Sequence, residues 1–385
     1  MIRLLLCTCL ISPALGAADM PDVERQLASS LLAISQSRIP EALTTVDNIT
    51  RQHPNFRLAQ LVKGDMLLAR AQPLKMLGDT GSPRSNELDE LRDEARQRVR
   101  ALTDTQSDDK VPAYLLEMDG DYRHALVVDA SRSRLYVYAN RNGVPIRVAD
   151  FYVTIGKAGA GKQKEGDNRT PIGIYKVDHF KPSRELTDFY GSGAFTLSYP
   201  NEWDTRQGRN GHGIWIHGSP SNTYSRSPRA SEGCVVLAND DLNRLGQYIQ
   251  PGKTPVIIAQ AVEWVSRDAL SARRDDLNAA INQWRADWES RDAARLLRHY
   301  SPTFRTGTQD IRAFGLNKQK VNAAKSWIKI DLNRLNLMLY PERADFAMVS
   351  FVQDYRSSNL NDITPKRQFW SRENGRWKII HETSL

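Results

Sequence analysis

The sequence predicts a multidomain α+β protein in three successive parts: a helical N-terminal region, a mostly β middle domain and a C-terminal α+β domain. Three observations predict it. Apolar residues recur at spacings of three and four up to about residue 103, the period drops to two from about Tyr114, and a helical stretch after Asp268 gives way to long alternating runs. The 385 residues are enough for two or three domains with separate cores. A hydrophobic content of 40% and a charged content of 25% fit a globular chain.

Residues 1–18 are the exception. Arg3 gives a positive start, Leu4 to Leu15 is mostly apolar, and the small residues of ALGAAD (Ala14 to Asp19) offer cleavage after Gly16 to Ala18. This pattern predicts a secretory signal peptide and hence an exported, periplasmic protein. Cys7 and Cys9 would leave with it, making Cys234 the sole thiol of the mature chain, with no internal disulfide possible. The formal net charge of +8 favours acidic polymers or surfaces. Its basic residues are scattered among acidic ones, so no nucleic-acid partner is expected.

Residues 19–110 read as helical. Leu27, Leu31 and Ile34, then Ala42, Val46 and Ile49, then Leu58, Leu61, Val62 and Leu68 each mark one helix face, with Pro40 and His53–Asn55 as punctuation. The layout resembles one tetratricopeptide-type hairpin and the start of another. A loop follows at Leu77 to Asn86, then a charged helix from Glu87 to Leu102 and a polar linker over Thr103 to Lys110. This region is a candidate for homodimerisation.

Residues 114–262 read as a mostly β domain: His124 to Gly156 alternates as a β-meander, and strand-like pieces continue through GIYKVDHF, AFTLSY, GIWIHG, GCVVLA and TPVIIA, with one helix over Asp240 to Tyr248. Residues 268–385 begin with helix to His299, with Leu277, Ile281, Trp284 and Trp288 on one face. A short helix near Lys318 to Ser326 and three long strands follow, with ENG as a hairpin turn. Trp284, Trp288, Trp327, Trp370 and Trp377 are expected in the core of this part.

Within GHGIWIHGSPSNTYSRSPRASEGCVVLAND (Gly211 to Asp240), His217 ends one strand and Cys234 precedes another, each beside a glycine. A thiol attacks acyl carbons as thiolate, which at its free pKa of about 8.5 is scarce at neutral pH, so it needs a base or a cation. It also needs donors for an oxyanion, and Gly233 lets consecutive N–H groups face one point. Gly218 C=O is the nearest acceptor that could orient the second ring nitrogen of His217. The bland alternative is a buried, inert thiol.

HG followed by S-x-G-C-V, with His217 fourteen residues before Ser231, resembles the L,D-transpeptidase (YkuD-type) catalytic domain, as does TPIGIY (Thr170 to Tyr175). The resemblance covers roughly Tyr122 to Ala261. It implies a β-sandwich-like domain and a cysteine acyl-enzyme acting on peptidoglycan tetrapeptide stems, at the bond between an L-centre and terminal D-Ala. It assigns Cys234 as nucleophile, His217 as base, the Gly218 carbonyl as orienter, Gly233 and Cys234 N–H as the oxyanion hole, and Ser231 as a shaper of the loop. Glu232 stands where histidine is common and Val236 where arginine is common. IGKAGAGKQKEGDNRTPIGIY, FYGSGAFTLSYPNEWDT and GHGIWIHGSP are similar to a narrower branch, the cell-shape L,D-carboxypeptidases of helical bacteria. That branch implies a C-terminal domain like nuclear transport factor 2, a cone that can hold a small ligand, and water as acyl acceptor.

Arg226 and Arg229, on the loop between His217 and Cys234, are candidates for a substrate carboxylate, as is Lys162 in the Gly-rich loop. Tyr199 is a candidate to line the cleft, with core packing as the equal alternative. His179 and His212 lack ligand spacing, so neither metal nor cofactor is expected. Two other functions fit the same residues: a non-catalytic peptidoglycan-binding scaffold, and a hydrolase releasing lipoprotein from peptidoglycan, since S-E-G-C loops occur in that role.

Overall fold

A computed structural model describes residues 20–72, 76–78, 86–103, 109–341 and 343–385. The expected signal peptide with Cys7 and Cys9, most of the Leu77 to Asn86 loop and most of the linker before Lys110 lie outside these residues. Helices α1 (Asp22–Ser35), α2 (Ile39–Gln52), α3 (Arg57–Leu68) and α4 (Asn86–Thr103) make the N-terminal region. Pro40 sits in the first turn of α2, where its missing N–H has no intrahelical partner to lose. The spaced apolar residues Leu27, Val46, Ile49, Phe56, Leu58 and Val62 close on one core.

The middle domain is built on β3 (His124–Asp129), β4 (Arg134–Arg141), β5 (Val144–Tyr152), β7 (Gly173–Pro182), β8 (Gly193–Leu197), β9 (Trp215–His217), β11 (Val235–Val236) and β12 (Pro255–Ala259). They form one mixed sheet in the order β11-β9-β8-β7-β12-β3-β4-β5. Short β6 (Ile155–Gly156) pairs in parallel with β10 (Arg229–Ser231) beside it. Helix α5 (Glu202–Arg206) follows β8, capped at Asn201, and α6 (Asn239–Gly246) matches the expected helix.

The C-terminal domain comprises α7 (Arg267–Glu289), α8 (Ala293–Leu297), β14 (Tyr300–Thr306), β15 (Gln309–Asp310), α9 (Ile311–Ala323), β16 (Ile328–Tyr340), β17 (Arg343–Ser357), β18 (Leu360–Glu373) and β19 (Arg376–Ser384). Asn374 and Gly375, both at positive φ, make the tight turn of the last hairpin. Three expectations are corrected. The helix expected from Lys318 starts at Ile311, because Asp310 caps it by accepting the Ala313 N–H. Trp327 is 49% exposed, since the alternation entering β16 buries Ile328 and Ile330 instead. The alternation from Tyr114 does not open the middle domain: β2 (Leu115–Glu117) pairs with β16 at the edge of the C-terminal sheet, and β1 (Lys110–Pro112) pairs with β13 (Trp264–Ser266).

The middle and C-terminal domains share a core in which Tyr136, Tyr138 and Ile257 join Trp284, Phe346 and Trp370. Trp203 of α5 lies 4.5 Å from Phe346, and Glu202 takes both Arg367 bonds at 2.8 and 2.7 Å. Trp203→Ala is therefore expected to cost about 3 kcal/mol, read as a lowered urea midpoint of a single transition. Separate transitions for the two domains in the unaltered chain would contradict a shared core.

Candidate active site

Strands β9 and β11 run parallel, with Val235 opposite Ile216 and Val236 opposite His217. Ile216 and Val235 turn into the core of the middle domain, so Trp215, His217 and Cys234 share the other face. The sequence separates the histidine and the cysteine by a long loop; the sheet places them on neighbouring strands.

His217 is buried. Its Nδ1 lies 2.7 Å from the Gly218 carbonyl, which can only accept, so Nδ1 carries the proton and Nε2 keeps its lone pair. Nε2 is buried without a hydrogen-bond partner. Burial pushes the imidazole down to about 4, against the Gly218 bond that favours its charged form. Gly218 tolerates no side chain, since a Cβ would meet Asn239 Oδ1 at 2.1 Å. The Tyr190 and Phe189 rings pack on the imidazole at 5.0 and 5.7 Å.

The half-buried Cys234 thiol donates to the Gly213 carbonyl at 3.4 Å rather than to His217. Burial pushes it up to about 11, while the Trp215 N–H, Arg226 and Lys162 pull it down and Glu232 pushes it up. At rest the pair is thiol and neutral imidazole. Site-resolved alkylation of Cys234 by iodoacetamide should therefore rise about tenfold per pH unit from pH 7 toward 10. A plateau below pH 8 would reveal a standing thiolate–imidazolium pair.

The nucleophile loop departs from one expectation. Ser231 Oγ donates to the Cys234 carbonyl at 2.6 Å and accepts the Gly233 N–H at 3.1 Å. Ser231 thus braces the turn, and the Gly233 amide is engaged rather than open to an oxyanion. Gly233 holds φ +131°, and a Cβ there would meet the Arg169 carbonyl at 2.9 Å.

The substrate-binding candidates separate. Arg226 is at the site: its guanidinium stacks 5.5 Å over Phe189, Nη2 donates to Ala230 C=O at 2.5 Å, and Nη1 is buried without a partner. Arg229 is exposed on β10, and the charges acting on the thiol are those of Arg226, Lys162 and Glu232. Lys162 is not available to a ligand, because its buried amine donates to Asp167 at 2.9 Å and Lys164 C=O at 3.1 Å. Burial opposes charge on Asp167, but Lys162 and the Gln163, Lys164 and Arg169 amides hold it at about 2. Tyr199 lies in the core against Tyr175, with its hydroxyl on Asn210 C=O at 2.9 Å, so it does not line a cleft. Val236 is buried against β9, and Glu232 is exposed with Lys157 at 3.8 Å.

Sequence reasoning missed Phe189, Tyr190, the Trp215 N–H and Asn239, whose side chain bonds Ser192 N–H and Ser219 C=O. The 3-10 turn Asp188–Tyr190 and a single amide carry no periodic signal; only the aromatic pair before Gly191 hinted at a built wall.

The chain has a YkuD-type catalytic domain: residues 123–258 match the family model of the L,D-transpeptidase catalytic domain. Residues 276–383 match that of the Cds6 C-terminal NTF2-like domain, so the chain carries these two domains behind its helical region. Bd1075 of Bdellovibrio bacteriovorus is similar at 28% identity and a TM-score of 0.64, over 72% of this chain and 98% of that one. The helical cell shape determining protein Pgp2 from Campylobacter jejuni shares the fold at 24% identity and a TM-score of 0.60, over 74% and 98%. No curated protein sequence matches the chain.

Proposed function

We propose that the chain is an exported peptidoglycan-remodelling enzyme that cleaves the L-to-D bond of tetrapeptide stems through a Cys234 acyl-enzyme, as an L,D-carboxypeptidase. The observation that carries this is the buried, unpartnered Nε2 of His217, fixed as a base by Gly218 on the strand beside Cys234. For reaction the thiol leaves Gly213 C=O and gives its proton to Nε2 as sulfur bonds the scissile carbonyl carbon. The Cys234 N–H stabilises the oxyanion. The C–N bond breaks, the D-alanine amine takes the proton from His217, and a thioester remains. Water, deprotonated by His217, attacks the thioester and returns a carboxylate and the thiol. An amine from a second stem in place of water would make the same enzyme an L,D-transpeptidase.

The fold shared with Pgp2, described as a helical cell shape determining protein, is the basis for a role in cell shape, and the signal-like pattern of residues 1–18 is the basis for a periplasmic site of action. Dimerisation through the helices and a ligand in the C-terminal cone belong to the same proposal. Mass spectrometry of disaccharide-tetrapeptide after incubation tests the activity. Tripeptide is expected; a 3–3 crosslinked dimer would assign transpeptidation, and unchanged substrate would oppose both.

A further inference from the structure

The segment from Gly218 to Pro228, which leads from His217 toward Cys234, is gripped by the N-terminal helices. The Tyr224 ring packs on His53 and Phe56 at 4.6 and 4.4 Å. Its N–H donates to Asn55 C=O at 3.2 Å, and Asn55 Nδ2 donates to Ser221 C=O at 3.0 Å. Ser225 Oγ donates to Glu94 at 2.7 Å and Ser227 Oγ to Glu90 at 3.3 Å, both on α4. Glu94 is itself fixed, since Arg98 donates to it at 3.0 and 2.8 Å while stacking 4.0 Å over Tyr152.

Arg226 lies between those two serines and faces the other way. Its carbonyl takes the Tyr152 and Thr154 hydroxyls, each at 2.9 Å, while its guanidinium lies over Phe189 with Nη1 unpartnered. A segment anchored on both sides of one residue fixes where that residue points. Phe189, over which that guanidinium lies, packs in turn on the His217 ring at 5.7 Å, so this loop carries a cation to the site.

We propose that the N-terminal helices are a positioning element of the active site: α4, through Glu90 and Glu94, and the α2–α3 turn, through Tyr224, hold the loop so that Arg226 stands over Phe189 at the site of His217 and Cys234. The inference rests on Cys234 as the nucleophile of the proposed function. Tyr224, Ser225 and Ser227 are then positioning residues that act through Arg226, and the helical region is more than a tether.

A double-mutant cycle in the full chain tests this, read as the rate of Cys234 alkylation by iodoacetamide at pH 8, resolved on the Cys234 peptide. Tyr224→Ala and Arg226→Ala are each expected to slow alkylation about tenfold, the effect of raising a thiol pKa by one unit. The double variant should be no slower than Arg226→Ala, because the loop acts through the arginine. Tyr224→Phe should keep the wild-type rate. The Ser225→Ala/Ser227→Ala pair should repeat the pattern of Tyr224→Ala and covers the case in which that variant fails to fold. Multiplying losses in the double variant, or unchanged alkylation in the serine pair, would overturn the inference. Alkylation needs no peptidoglycan, so the two failures are distinct: absent tetrapeptide turnover with the expected pattern overturns the proposed function and shows only that the helices set the reactivity of Cys234, whereas turnover without the pattern overturns this inference.

Discussion

Cys234→Ala is expected to lower release of D-alanine from tetrapeptide stems by about 10⁴-fold or more, the scale seen when one member of a nucleophile–base pair is deleted. The size follows from the site. No other cysteine is free among the described residues, and no group of His, Cys, Asp and Glu there could hold a metal ion. His217, held near 4 by burial, is a weak base for activating water on an amide and has no thiol to relay through. His217→Gln should approach the same loss, and the double variant should add little, because the two act as a unit. D-alanine release assayed on purified disaccharide-tetrapeptide checks both. A Cys234→Ala protein retaining even a tenth of the wild-type rate would remove the covalent mechanism.

The second large effect concerns the seat of the helical region. Arg134 of β4 is buried between Asp150, which it meets at 2.6 Å, and Glu24 of α1, to which its Nη1 also donates. Arg98 joins the group through Glu94 and, at 3.4 Å, Glu24. Arg134→Met keeps most of the side-chain volume but leaves two buried carboxylates facing each other, at a cost of about 4–5 kcal/mol. Burial raises Asp150 above its ordinary 3.8, with Arg134 opposing; burial and then Glu24 push Asp241 up to about 7. For an acid whose folded pKa is raised, the associated stability is present below the unfolded value and lost as pH rises through the folded one. The Arg134→Met deficit should thus be largest near pH 8 and shrink toward pH 4, as read by urea unfolding. A deficit that grows on acidification would contradict the assigned charge pattern.

The chemistry was more legible in the sequence than its supports. His217, Gly218, Ser231 and Cys234 sit in short strand-and-glycine patterns, and local periodicity also separated helical from alternating segments. What the sequence hid depends on contacts between distant segments. Nothing near Glu24 announces Arg134, and nothing in LLE at Leu115–Glu117 reveals that its partner strand is β16. Lys162 looks available to a substrate carboxylate in sequence, because nothing local shows that Asp167, across a turn of the Gly-rich loop, accepts its amine. An aromatic such as Tyr199 looks the same in sequence whether it faces a cleft or, as here, packs on Tyr175 in the core. The engagement of the Gly233 amide by Ser231 is a matter of one hydroxyl rotamer, which residue type cannot encode.

The most direct measurement of the central claim is the intact mass of the protein, acid-quenched during turnover of disaccharide-tetrapeptide, followed by mapping of the modified peptide. The expected result is an adduct equal to the substrate less D-alanine, carried on the peptide containing Cys234 and absent from Cys234→Ala. Release of D-alanine with no adduct, at a rate that Cys234→Ala preserves, would contradict it.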